Sequence, residues 1–88
     1  MVNLAELVGS RIRAEIFRLL FIDPDTEIHA REIQRRTGFN DRAIRQELEK
    51  LFRLELVTSR RDGNRLYFRA NRANPLYREI RGLAIKTS

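Results

Sequence analysis

Arg42, Arg45 and Gln46 fall on one outward-facing stretch of a helical repeat, and Arg60, Arg61 and Arg65 flank the dipeptide Asp62-Gly63. A guanidinium presents a planar pair of N–H donors that matches a phosphate or the O6/N7 edge of guanine. A Gln amide matches the N6/N7 edge of adenine. The chemistry on offer is recognition of anions and base edges, with no bond made or broken. The competing chemistries are poorly represented. The chain has no cysteine, which excludes a disulfide framework and thiolate metal sites. His29 is the only histidine, and with Asp23 and Asp25 nearby it is a weak metal signal. It reads more simply as a structural residue beside a helix start. No Ser/His/Asp set, Gly-rich phosphate loop or zinc-ligand spacing is present. No enzyme activity, cofactor or metal is therefore expected.

Those residues need a scaffold, and length limits what it can be. Residues 1–88 make one small domain. A chain this short buries only roughly 60–65% of its unfolded surface, so no internal substrate cavity is expected and a dimer interface would add stability. Its 42% apolar content suits a globular protein. The N-terminus lacks a signal-peptide pattern, and no apolar run approaches the ~20 residues that span a bilayer. The expected location is cytoplasmic.

The net charge of +6 is unevenly placed. Residues 1–29 hold three basic and five acidic groups, a balance of −2. Residues 30–72 hold twelve basic and six acidic, a balance of +6, and residues 73–88 add +2. The excess falls on the segment that carries the recognition chemistry, which points to nucleic acid.

Hydrophobic periodicity supplies the elements. Ser10 is a candidate N-cap, followed by Ile12, Ile16, Leu19 and Leu20 at i, i+4, i+7 and i+8, with Phe17 and Phe21 widening the stripe. This helix should stop before Asp23-Pro24-Asp25. Leu4, Leu7 and Val8 suggest a short extra helix ending at Gly9. Glu27–His29 reads as a short strand, and 30–36 as a short helix closed by Gly38. Asn40 is the next N-cap, with Phe39 and Ile44 placed as a hydrophobic staple. The helix from Asp41 to about Arg53 turns Ile44, Leu48, Leu51 and Phe52 inward and Arg42, Gln46, Glu49 and Arg53 outward, flanked by Arg45 and Lys50. Residues 56–61 and 65–70 read as strands joined at Asp62-Gly63, expected to supply the positive-φ turn positions. One of Tyr67 and Phe68 should face inward. Asn74 with Pro75 at N1 should open a last helix, 74–86, whose apolar face is Leu76, Ile80, Leu83 and Ala84.

From about Leu7 to Ala70, roughly three quarters of the chain, these residues resemble ArsR-type winged helix-turn-helix transcriptional regulators. The similar signatures are Ser10-Arg11-Ile12-Arg13-Ala14-Glu15-Ile16 with Leu19-Leu20, and Arg31-Glu32-Ile33 leading to Thr37-Gly38-Phe39. Ile44, Leu48, Leu51 and Leu56-Val57 follow, then Arg60-Arg61-Asp62-Gly63-Asn64 with Tyr67-Phe68. The resemblance implies a mainly α, α+β fold of order α-β-α-α-β-β-α with terminal helices. It implies sequence-specific binding of double-stranded DNA by a small regulator, expected to be a repressor. The third helix would enter the major groove with Asp41, Arg42, Ala43, Arg45 and Gln46 nearest the bases. The wing residues Arg60, Arg61, Asn64 and Arg65 would contact phosphates, joined by Arg31, Arg35, Arg36, Asn40 and Lys50. Leu4, Leu7, Val8, Leu76, Ile80, Leu83 and Ala84 would form a homodimer interface, against the simpler reading that they close a monomer core.

Two departures qualify the likeness. Metal sensing, common in this family, does not carry over to a chain without cysteine and with one histidine. Glu55 stands where the family usually has Gly, so it must adopt a left-handed conformation or end the helix differently. In addition, 74–87 is similar to helices that link winged domains to nucleotidyltransferase-like domains, through Arg81-Gly82-Leu83. The alternative reading is therefore a DNA-targeting or protein-interaction module working with a separate partner. Double-stranded RNA is a further competitor. The Arg42/Gln46 face also has a plain explanation, a solvated helix side with pairs such as Arg45–Glu49. Glu49 itself is awkward against DNA and is expected to hold Arg45 or Arg53.

Overall fold

A computed structural model of the protein describes residues 9–87. Leu4, Leu7 and Val8, and the short helix expected there, lie outside the described residues. Ser10 is extended, and its side chain accepts the Arg13 N–H at 3.2 Å, which starts helix α1 (Arg11–Phe21). Ala14, Ile16, Phe17, Leu20 and Phe21 are buried, while Ile12 and Leu19 pack along the edge of the core. The helix ends before Asp23-Pro24-Asp25, as expected. Strand β1 follows (Ile28–His29), one residue shorter than anticipated.

Helix α2 (Ala30–Thr37) opens on His29, whose Nδ1 accepts the Glu32 N–H at 3.3 Å, the structural role expected of it. Gly38, at φ 77°, closes the helix by donating its N–H to the Gln34 carbonyl at 2.7 Å. A β-carbon resists that left-handed conformation, so glycine is the residue of choice there. The Asn40 side chain then accepts the N–H groups of Arg42 (2.8 Å) and Ala43 (3.3 Å) and starts helix α3 (Asp41–Arg53). Ile44, Leu48 and Leu51 are fully buried.

Phe52 corrects the expected stripe: it is 48% exposed. Its position on the helix wheel turns it toward the wing rather than the core. The end of α3 also answers the question posed by Glu55. The Leu56 N–H reaches the Leu51 carbonyl and the Glu55 N–H the Phe52 carbonyl, each at 3.0 Å, a Schellman closure. Glu55 accordingly takes φ 60°. The side-chain amides of Asn71 and Asn74 donate to its carbonyl at 2.8 and 2.9 Å and hold the turn in place.

Strands β2 (Val57–Asp62) and β3 (Arg65–Ala70) form the hairpin, and β1 pairs with the far side of β3, giving an antiparallel sheet of order β1-β3-β2. The pairing of Asp62 with Arg65 makes Gly63-Asn64 the two-residue loop, one position later than expected. Only Gly63 has positive φ there (62°), which suits a turn with glycine first. Phe68 faces the core and Tyr67 faces away.

The last helix, α4 (Tyr77–Lys86), starts later than Asn74 predicts. Asn74 still accepts the Leu76 N–H at 2.8 Å, but Pro75-Leu76 form a preceding turn. Ala84 is fully buried and Tyr77 and Ile80 pack on the core, with Tyr77 5.7 Å from the Phe21 ring. Leu76 and Leu83 remain 55% and 39% exposed. Each fully buried aliphatic side chain contributes roughly 1.5–3 kcal/mol, so α1, α3 and the sheet form a single cooperative core. One charge is included in it. Glu47 of α3, only 9% exposed, accepts from Arg13 Nε of α1 at 2.8 Å. No described helix is long and apolar enough to cross a membrane.

Candidate nucleic-acid interface

Local sequence explains why α3 presents the side chains it does. With Ile44, Glu47, Leu48 and Leu51 turned inward, a 3.6-residue repeat puts Arg42, Gln46, Glu49 and Arg53 diametrically outside, and all four are exposed. Ala43, half-buried, lies on the side toward α1. It lines a groove there with Gln46 and Lys50, of about 430 Å³. Asp41 and Arg45 lie on the side toward the wing. Asn40 uses its carbonyl oxygen on the helix cap and keeps its amide N–H groups as donors.

Arg45 does not pair with Glu49. Its Nε donates to Asp41 Oδ2 at 2.8 Å, one turn toward the positive end of α3, where a carboxylate is also favoured by the helix dipole. Among the described residues Glu49 makes no ion pair, with Arg45 or with Arg53, which corrects the expectation that it holds either of them.

The wing brings residues from distant parts of the chain to the start of α3. A cleft of about 570 Å³ is lined by His29, Arg31 and Gln34 from α2 and its cap, Asp41 and Arg45 from α3, and Arg61, Asn64, Arg65 and Leu66 from the wing tip. Four guanidinium groups thus surround one open, largely polar hollow, with Asp41 as the single carboxylate. A second, apolar groove of about 290 Å³ lies deeper between α3 and the sheet, where Phe52 and Leu66 cover Leu48 and Phe68.

Ion pairing sorts the arginines. Arg36 and Arg35 both donate to Glu32, at 2.8 and 2.5 Å. These bonds, Arg36 first, hold the Glu32 carboxyl below its ordinary range. Arg60 grips Glu27 with two bonds of 2.7 and 3.1 Å and lies 5.3 Å from the centre of the Tyr67 ring. The Arg60 bond lowers the Glu27 pKa, and Glu27 in turn raises that of Arg60. Arg72 pairs with Asp25 at 2.7 Å. By contrast, among the described residues Arg31, Arg42, Arg61 and Arg65 form no ion pair. Of the residues expected at phosphates, Arg31, Arg61, Asn64 and Arg65 meet at the cleft, with Arg45 beside them. Arg35, Arg36 and Arg60 are turned to carboxylates, and Lys50 sits on the opposite side of α3.

Sequence reading missed two positioning residues. Glu27 lies 33 positions from Arg60, and Glu47 34 from Arg13, so no local pattern announces either pair. Glu47 had one usable signal: it falls on the inward arc of α3.

No protein-family model matches the chain, and no curated protein sequence matches it. Its fold is similar to that of reduced HlyU from Vibrio cholerae N16961, with a TM-score of 0.69 over 94% of this chain and 79% of that one, at 21% identity. HlyU has the winged-helix fold, and the architecture here is likewise a winged helix: helices with a three-stranded antiparallel sheet whose hairpin is the wing.

Proposed function

We propose that this winged helix is a small transcriptional regulator of the ArsR type that binds double-stranded DNA sequence-specifically, as a cytoplasmic homodimer. The observation that carries the reading is the sorting of charge. Arg35, Arg36 and Arg60 are turned to the carboxylates of Glu32 and Glu27. Arg31, Arg61 and Arg65, free of ion pairs among the described residues, gather with Arg45 beside the start of α3. That arrangement suits a duplex whose major groove takes α3 and whose phosphate strand lies between α3 and the wing. Arg42 and Gln46, outermost on α3, are the base-reading residues, with Asp41, Ala43 and Arg45 around them. Arg31, Arg61, Asn64 and Arg65 hold phosphates. Likeness in fold to HlyU, a winged-helix transcriptional regulator, supports the same reading.

Repression follows in its simplest form if the bound protein occupies a promoter-overlapping operator. Two copies joined through Leu76 and Leu83, which α4 leaves exposed, would set their recognition helices about 34 Å apart on a pseudo-palindrome. The same exposed leucines favour a second reading, docking to a different protein. Sedimentation separates the two, since a monomer at working concentration removes the homodimer.

The deciding experiment is fluorescence anisotropy on a labelled duplex from the upstream region of its own gene against a scrambled duplex, at about 50 and 200 mM salt. A dimer making ~6–10 phosphate contacts should lose roughly 10³–10⁵ in affinity over that range while keeping its preference. Equal binding to both duplexes that vanishes with salt would reject sequence-specific regulation. Within a selected site, Arg42→Ala should cost roughly 1–3 kcal/mol at one base position only.

A further inference from the structure

We propose that the cleft between α2, the start of α3 and the wing tip is also a binding site for a compact polyphosphate, inorganic or carried on a nucleoside. Such a ligand and a DNA strand would occupy the same arginines in turn. The polyphosphate site stands on the cleft alone, whereas the competition rests on the DNA-binding reading.

Four guanidinium groups, from Arg31, Arg45, Arg61 and Arg65, line a hollow of about 570 Å³. Only Arg45 is engaged by a carboxylate there, through Nε to Asp41, which leaves its Nη groups open. Like charges gathered without counter-charge repel one another, and an anion seated among them relieves that repulsion. Arginine favours phosphate in particular because its fork of donors matches two oxygens at once. Asn64 and Gln34 add neutral donors at the wall. Asp41 opposes an anion, but its charge is already shared with Arg45.

The lining also selects between anions. Polar surface dominates it, so an apolar acid finds little to bury against. A DNA strand carries one charge per phosphate, one for roughly every 3.4 Å of helix axis. A polyphosphate chain sets its phosphates directly next to one another and ends in a group that carries up to about two charges. It therefore brings more charge into the same volume than a diester strand can.

The test is calorimetric titration of the full chain at about 150 mM salt, where weak diffuse attraction is screened. The titrants are tripolyphosphate, ATP, orthophosphate and adenosine. Saturable binding of tripolyphosphate and ATP is expected, at least about tenfold tighter than orthophosphate, with no heat from adenosine. Arg31→Ala and Arg61→Ala, both at exposed positions, should each weaken tripolyphosphate about 10- to 100-fold. Arg78→Ala, exposed on α4 away from the cleft, should change it less than about twofold. Absence of saturation, binding of ATP without tripolyphosphate, or equal weakening by Arg78→Ala overturns the site. A second arm asks whether tripolyphosphate displaces a labelled duplex. Binding without displacement would keep the polyphosphate site and remove DNA from the cleft. Displacement of the duplex by tripolyphosphate supports both.

Discussion

Arg60 and Arg61 are neighbours on one strand of the wing, yet they belong to different surfaces. Strand alternation sends them to opposite faces of the sheet. The face of Arg60 carries Tyr67 opposite it and His29 beyond, in one cross-strand row. There the guanidinium is stacked on the Tyr67 ring and tied to Glu27, and His29 meets Tyr67 edge-on at 5.5 Å. The face of Arg61 begins in the core, at Val57, Ala70 and Phe68. It leaves the core at Leu66 and Arg61, where it overhangs α3. One face of the hairpin anchors the wing and the other uses it. Counting arginines along the sequence merges these roles, whereas their partners separate them.

Truncating the anchor on each face should show the inequality most strongly. Phe68→Ala removes a buried ring from the core side and should lower stability by about 3–5 kcal/mol in urea denaturation. Tyr67→Ala removes a half-buried ring from the other side and should cost under about 2 kcal/mol. Equal losses would mean that both faces are core.

Binding should favour the same face at a smaller scale. Arg61→Ala should weaken duplex binding by about 1.5–3 kcal/mol irrespective of sequence. The slope of log affinity against log salt should fall by about 1. Arg60→Ala should cost less than half as much, because its guanidinium is already committed to Glu27. Anisotropy titrations in parallel decide this, and matching losses would return Arg60 to the phosphate-contacting set.

The smallest expected effect is on pH dependence. The hydrogen bond from Arg60 outweighs desolvation and, helped by the charges of Arg60 and Arg69, holds the Glu27 carboxyl below its ordinary value of 4.5. A carboxylate with a depressed pKa in the folded state stabilises fully above its unfolded value. That contribution fades as pH falls through the folded one. The stability gap between the native chain and Glu27→Gln should thus be constant well above the ordinary carboxylate value and narrow as pH falls below it, in urea midpoints measured from neutral to acid pH. Both residues face solvent, so added salt should narrow the gap. A gap that persists unchanged at acid pH would assign it to packing.

Much of this architecture is legible in the sequence because its signals are local. Ser10, Gly38 and Asn40 mark helix ends with side-chain or backbone chemistry that acts within four residues, and each acts as read. The apolar repeat through Ile44, Leu48 and Leu51 places the outward face of α3 with no knowledge of what it packs against. Readings slipped where two solutions are locally equivalent. Asp62-Gly63 and Gly63-Asn64 both allow a tight turn, and the register of Asp62 with Arg65 chose the second. Phe52 fits an inward stripe by spacing, but the core closes beneath Leu48 and Leu51 before reaching it. Arg45 has acidic residues one turn away in both directions, and the pair formed is with Asp41.

The residue types and their spacing by themselves determined where α1, α2 and α3 would form and that a basic hairpin would follow α3. Only the tertiary structure decided which arginines are held in ion pairs. Helix and strand signals act over a few bonds, while the ion pairs that silence Arg60 and fix α3 join residues more than thirty positions apart. Burial and charge pairing between such residues depend on the packed arrangement of α1, α3 and the sheet, a property no local window of the sequence contains.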